Sequence, residues 1–139
     1  MITLAEENYL KAIWAISLNT NEKAYTNAIA DEISTSAASV SDMLRKLQEK
    51  ELIKYEKYKG VELSEKGRNL ATSIIRKHRL WETFLVNKLA FNWGEVHDVA
   101  EQLEHIKSEE LVDRLDAFLD CPKFDPHGEP IPTKDGKIP

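Results

Sequence analysis

Between Thr26 and Ser64 the hydrophobic pattern passes from a helical to a two-residue period, and that order leaves few folds open. The stretch TNAIADEI (26–33) reads as a short helix starting near Tyr25, with Thr26 placed to cap it. Ser34, Thr35 and Ser36 make a tight polar turn. AASVSDMLRKLQEK (37–50) is a second helix, with Val40, Met43, Leu44 and Leu47 inward. LIKYEK (52–57) and VELS (61–64) read as short strands around Tyr58-Lys59-Gly60, where glycine permits the positive φ of a hairpin turn. An amphipathic helix over about residues 3–18, built on Leu4, Tyr9, Leu10, Ile13 and Trp14, precedes them. Helix, helix, small-residue turn, helix and basic hairpin is the order of a winged helix-turn-helix.

The helix after the turn is asymmetric. Its C-terminal half is apolar and anchors it, whereas Ser36, Ala37, Ala38, Ser39, Ser41 and Asp42 are small or polar and permit close approach to another macromolecule. The residues expected to meet DNA are Thr26, Asn27, Ser36, Ala38, Ser39, Ser41, Asp42 and Arg45, with Lys57 and Lys59 at the hairpin tip. The competing reading is a small α+β domain that binds protein. Charge favours the first. The net charge is −5, but residues 45–79 carry 11 basic and 5 acidic side chains, and residues 81–139 carry 6 and 13. A basic middle suits phosphate contacts, and an acidic second half suits cations.

That second half reads as three helices: one from Ser64, as N-cap, to about Leu89, one over Glu95–Ile106, and one from Ser108 to about Leu119. In VHDVAEQLEH, His97, Glu101 and His105 stack one turn apart with Glu104 beside His105, and His78 and Glu82 repeat the i, i+4 spacing upstream. Mixed nitrogen and carboxylate donors suit Mn(II), Fe(II), Zn(II), Co(II) or Ni(II) better than Cu(I) or Ca(II). The plain alternative is a solvated acidic helix with incidental histidines. A metallohydrolase is a further reading, which the lack of a Gly-rich phosphate loop or nucleophile motif disfavours.

From Cys121 onward, five prolines and two glycines suggest an extended tail, in which Cys121 is an incidental thiol and His127, between Pro126 and Gly128, fits a turn better than a ligand. One cysteine excludes an intramolecular disulfide and a cysteine-rich zinc module. No apolar run approaches the ~18 residues of a membrane span, and the N-terminus lacks a signal-peptide pattern, so a cytoplasmic protein is expected.

The segments EENYLKAI, IADEISTSAASVSDMLRKL, YEKYKGVELSEKGR, RKHRLWE, VHDVAEQLEH and PHGEPIP, in this order, resemble the diphtheria-toxin-repressor family of metal-dependent transcriptional regulators, including its manganese-transport-regulator branch. The resemblance covers nearly the whole chain. It implies a mainly α protein: a winged helix-turn-helix DNA-binding domain over 1–72, then an all-α dimerisation and metal-binding domain over 73–122. Residues 123–139 form a Pro-rich tail, which in some members leads into an SH3-like domain.

It further implies a homodimer that binds a divalent ion and then a palindromic operator, repressing metal-uptake genes. The activating ion falls to Asn8, Glu101, Glu104 and His105, and an ancillary one to His78, Glu82 and His97. Glu101 stands where the iron-responsive branch has cysteine, and a hard carboxylate favours Mn2+ over softer ions, with Fe2+ the alternative. Asn8 stands where manganese relatives often have Asp, and offers only a neutral carbonyl oxygen. Lys11 removes an acidic ligand that some of those relatives supply.

Overall fold

The computed structural model describes residues 2–20, 23–56 and 58–139. The chain forms two compact units, Met1–Thr72 and Ser73–Pro139. Among the described residues there are six helices and one two-stranded sheet, so the protein is mainly α.

The first unit opens with α1 (Leu4–Thr20). Thr3 and Glu6 start it reciprocally: the Thr3 N–H donates to Glu6 Oε1 (2.9 Å) and the Glu6 N–H to Thr3 Oγ1 (3.1 Å). α2 (Thr26–Ile33) follows. Its N-cap is Tyr25, whose side chain makes no capping bond, so Thr26 is the first helical residue and not the expected cap. Ser34 ends α2 in the left-handed region (φ 62°), and Ser36 then caps α3 (Ala37–Glu49) by accepting from the Ser39 N–H (3.1 Å). β1 (Ile53–Glu56) and β2 (Gly60–Leu63) pair antiparallel, Ile53 opposite Leu63 and Glu56 opposite Gly60.

Gly60 is required twice over. Its φ is +83°, and a Cβ there would lie 2.9 Å from Lys23 Cβ. That closeness follows from Ala24, which bonds Val61 through both backbone groups and lays a third short segment along the hairpin. The core of the unit is Leu10, Ile13, Ile29, Val40, Leu44, Leu47, Leu52 and Val61, all fully buried, each stabilising by roughly 1.5–3 kcal/mol. α1 packs on α2 and β2, and α3 on α2 and β1, so this core pins α3 beneath the hairpin. The buried Glu6 carboxylate accepts from Lys50 Nζ at 2.8 Å, tying α1 to the residue that ends α3.

α4 (Glu65–Leu89) starts in the first unit and carries the chain into the second. As expected, Ser64 caps it, accepting from the Gly67 N–H (3.0 Å). The Ser64 hydroxyl also donates to the Glu51 carbonyl (2.8 Å).

In the second unit, α5 (Trp93–Leu103) is capped by Asn92, whose side chain accepts from the Glu95 N–H (3.0 Å). The helix thus starts at Trp93, two residues before the expected Glu95. α6 (Glu109–Phe118) is capped by Ser108 in the same way. Leu80 of α4 and Val112 and Leu115 of α6 pack against Ile131, with Trp81, Phe84 and Leu119 around them. The Pro-rich segment is therefore part of the second unit's interior and not a free tail. Arg79 holds it further, donating to Glu129 Oε2 (2.8 Å) and to the Pro130 carbonyl.

Candidate metal centre and nucleic-acid interface

α4 presents His78 and Glu82 one turn apart, and α5 presents His97 and Glu101. α5 stops at Leu103, so Glu104 is its C-cap and His105 lies beyond it. The helical face expected to carry 97, 101, 104 and 105 is cut short: Glu104 keeps a helical backbone and bonds the Ala100 carbonyl (2.9 Å), and His105 lies past the helix end. His97 and Glu101 stay on the exposed part, Nε2 to Oε1 2.9 Å, with 60% and 46% of their side chains exposed. Glu104 is fully buried. An unpaired buried carboxylate is costly, and Glu104 is not unpaired. Its Oε1 lies 2.7 Å from His78 Nδ1 and its Oε2 3.6 Å from His105 Nε2. The other ring nitrogen of His78, Nε2, lies 3.4 Å from Glu82 Oε2, and the His78 and His97 rings meet edge-on at 5.0 Å.

The segment after α6 adds two groups that spacing did not suggest. Asp125 Oδ1 accepts from the N–H groups of His127 and Glu129, both at 2.9 Å, which folds Asp125-Pro126-His127-Gly128 into a tight turn. The turn expected at His127 is present, but it also aims the ring inward, Nδ1 lying 3.6 Å from Glu82 Oε2 and 4.0 Å from Asp125 Oδ2. The Trp93 ring closes on His127 edge-on at 5.2 Å. Cys121 is exposed and free, as its placement suggested.

Burial opposes charge on the His78 imidazole, but Glu104 and Glu82 outweigh it and push its pKa up to about 9. Burial likewise opposes charge on Glu82, yet His78 holds its carboxyl below the usual range. Asp125 goes the other way: burial and the facing Glu82 carboxyl raise its pKa. Its Oδ2 is buried with no donor on it. Two carboxyls at one site do not both ionise readily.

Among the described residues, two sets of donors converge: His78, Glu82 and His97, and Glu82, Asp125 and His127, the ligand atoms of each set lying within 4.8 Å of one another. Glu82 belongs to both. Imidazole and carboxylate donors with an orphaned buried oxygen fit a divalent first-row ion. Of the four residues expected at the activating position, Glu104 and His105 are brought together and Glu101 is paired with His97. Asn8 is half-buried on α1 of the first unit.

On α3 and α2, Ser36, Ala38, Ser39, Asp42, Arg45 and Asn27 are exposed, and Thr26 and Ser41 are partly so. Some of their bonding capacity is spent locally: the Ser36 hydroxyl donates to Ser39 Oγ (3.0 Å), and Arg45 lies 3.6 Å from Asp42. On the hairpin, Lys59 pairs with Glu56 at 3.1 Å. Lys57 lies outside the described residues. Tyr58, not singled out by sequence reasoning, is 87% exposed at the tip, with φ 68°.

The profile of the family described as "Iron dependent repressor, N-terminal DNA binding domain" matches residues 1–61, and that of its "metal binding and dimerisation domain" matches residues 64–133. The chain is 38% identical over 104 residues to the iron-dependent repressor IdeR of Mycobacterium tuberculosis, a match covering 75% of this chain and 45% of IdeR. It is 32% identical over 114 residues to an uncharacterised HTH-type transcriptional regulator of Methanocaldococcus jannaschii, covering 82% of this chain and 91% of that protein. A solved manganese-dependent transcriptional repressor in complex with manganese is 45% identical, with a TM-score of 0.87 over 96% of this chain and 61% of the other. The chain thus spans less than half of IdeR and about three-fifths of the manganese repressor.

Proposed function

The chain belongs to the iron-dependent repressor family, and from that premise we propose that it is a divalent-metal-activated, homodimeric transcriptional repressor of the manganese-responsive kind. Its targets are palindromic operators of metal-uptake genes, and its role is regulatory, not enzymatic. It works in the cytoplasm, where its operators are; among the described residues no helix is long and apolar enough to cross a membrane.

The observation that carries this reading is Glu104, a fully buried carboxylate between His78 and His105. Burial at this depth is unfavourable for stability alone and suits a ligand. Asn8, Glu101, Glu104 and His105 are the donors we assign to the activating ion. His78, Glu82 and His97 are those of a second ion, with Asp125 and His127 beside them. A bound divalent ion supplies the positive charge that lets these carboxylates share one region. The carboxylate oxygens and imidazole nitrogens would hold the ion.

Mn2+ is the favoured ion because the assigned donors are nitrogen and oxygen with no thiolate, and Fe2+ is the alternative. The relative solved with manganese supports the first, and IdeR the second. Leu89, Trp93 and Phe118 are exposed on the second unit and offer apolar surface to a second copy. Leu85 and Val96 are buried inside the unit. On DNA, α3 would enter the major groove and the hairpin would touch the backbone.

Selection from a random duplex library tests the proposal. With Mn2+ under anaerobic conditions, one palindromic sequence should be enriched, with half-sites about one helical turn apart or a multiple of it. With a chelator in place of the ion, no sequence should be enriched.

A further inference from the structure

His78 has two ring nitrogens, and the fold commits each to a different carboxylate. Nδ1 is 2.7 Å from Glu104 Oε1 and Nε2 is 3.4 Å from Glu82 Oε2. An imidazole can ligate an ion only through an unprotonated nitrogen, and the proton left on the ring sits on the other one. With a buried carboxylate on Nδ1, the proton stays there and Nε2 is the nitrogen that faces Glu82. Glu104 in turn has a second oxygen, which faces His105.

We propose that Glu104 has two functions at once: it ligates one ion through the oxygen facing His105, and through the other it fixes the tautomer and ring orientation of His78 as a ligand for the neighbouring ion held with Glu82 and His97. This rests on the metal-binding reading above and adds a positioning role for a residue assigned to the other ion. His78 would hold that ion through an unprotonated Nε2, with the Nδ1–H donating to Glu104. A carboxylate that orients a ligating histidine typically contributes a factor of about 10–100 in metal affinity. The second position therefore needs the Glu104 carboxylate itself, whether or not the first position is filled.

Two variants separate this from an effect passed on by the first ion or by the fold. Glu104→Gln and His105→Gln each remove a ligand from the first position, but only Glu104→Gln alters the group on His78 Nδ1. Titration of the full chain with Co2+, followed by its visible absorption, gives stoichiometry and affinity at each position. We expect His105→Gln to leave the affinity of the His78 position within about threefold of wild type, and Glu104→Gln to weaken it by about tenfold or more. In the Zn2+-loaded chain, nitrogen-15 NMR should show His78 protonated at Nδ1, with the strongly downfield proton of a carboxylate hydrogen bond. In Glu104→Gln that proton should move upfield while other ring resonances stay in place. Equal affinities at the His78 position in the two variants, or an unmoved Nδ1 proton, would overturn the proposal. A wild-type chain that retains no ion at His78, Glu82 and His97 would instead overturn the metal reading on which it rests.

Discussion

The Nδ1 of His127 stands 3.6 Å from the Glu82 carboxylate, across the gap between the Pro-rich segment and α4. The contact depends on three supports: the Asp125 turn, the bonds from Arg79 to Glu129 and Pro130, and Ile131 in the core. A segment with that much fixation delivers a donor to a defined place. His127→Ala should therefore lower Mn2+ affinity at the Glu82 position by at least about tenfold while leaving the fold intact. Counting free Mn2+ by electron paramagnetic resonance during a titration checks this. An unchanged binding curve would remove His127 from the ligand set.

Metal-free protein should lose stability as pH rises. The His78 pKa is raised in the fold to about 9 from the 6.5 of a free imidazole. A raised value in the folded state stabilises fully below the unfolded pKa and is lost as pH climbs through the folded one. The loss falls between about pH 6.5 and pH 9 and is on the order of 3 kcal/mol. Glu82, with its lowered pKa, contributes in the opposite sense, losing its share as pH falls through the acid range. Thermal melts with chelator from pH 6 to pH 9.5 should show the alkaline decline, and His78→Gln should flatten it. A wild-type Tm independent of pH over that range would exclude the charged His78 network.

The winged helix-turn-helix was legible because its signals are local. Apolar spacing marks α1 and α3, Ser64 is a strong cap, and Gly60 marks the hairpin. The pairings of the metal centre were less legible. Spacing on one helix places His97, Glu101 and His105 together, but α5 ends at Leu103, and what Glu104 meets is His78 on another helix. Nothing local to either residue encodes that contact. Asp125 and His127 were hidden for a related reason: a Pro- and Gly-rich run reads as extended chain. The packing of Ile131, which holds that run in place, is a tertiary event.

Glu101 should set metal preference. Glu101→Cys exchanges a hard carboxylate for a thiolate and should raise the response to Fe2+, Co2+ or Cd2+ relative to Mn2+. Operator binding against each ion measures it. An unchanged ranking would show that this position does not select the metal, and would leave its 2.9 Å pairing with His97 as its role.

Lys59→Ala should weaken binding to all DNA sequences alike and reduce the log–log salt slope by up to about one unit. Its pairing with Glu56 competes with phosphate, which places the change below that limit. Substitutions at Ser39 or Asp42 should instead alter which operators are preferred. Short side chains that are partly bonded to one another leave methyl contacts, water and DNA shape to carry much of the readout, so single base-pair changes should cost toward the low end of the usual ~1–3 kcal/mol. A mismatch scan with sharp, large penalties would contradict this.

In the proposed mechanism a divalent ion, held by the residues around Glu104, switches on DNA binding. Fluorescence anisotropy of a selected operator, titrated anaerobically with the protein, tests it most directly when run with Mn2+, with Fe2+ and with chelator. Binding should be at least about tenfold tighter with Mn2+ than with chelator, a gain of about 1.4 kcal/mol or more. That gain should vanish in Glu104→Ala and in His105→Ala, with both variants still folded. Equal operator affinity with and without metal, or variants that respond to Mn2+ as the wild type does, would contradict it.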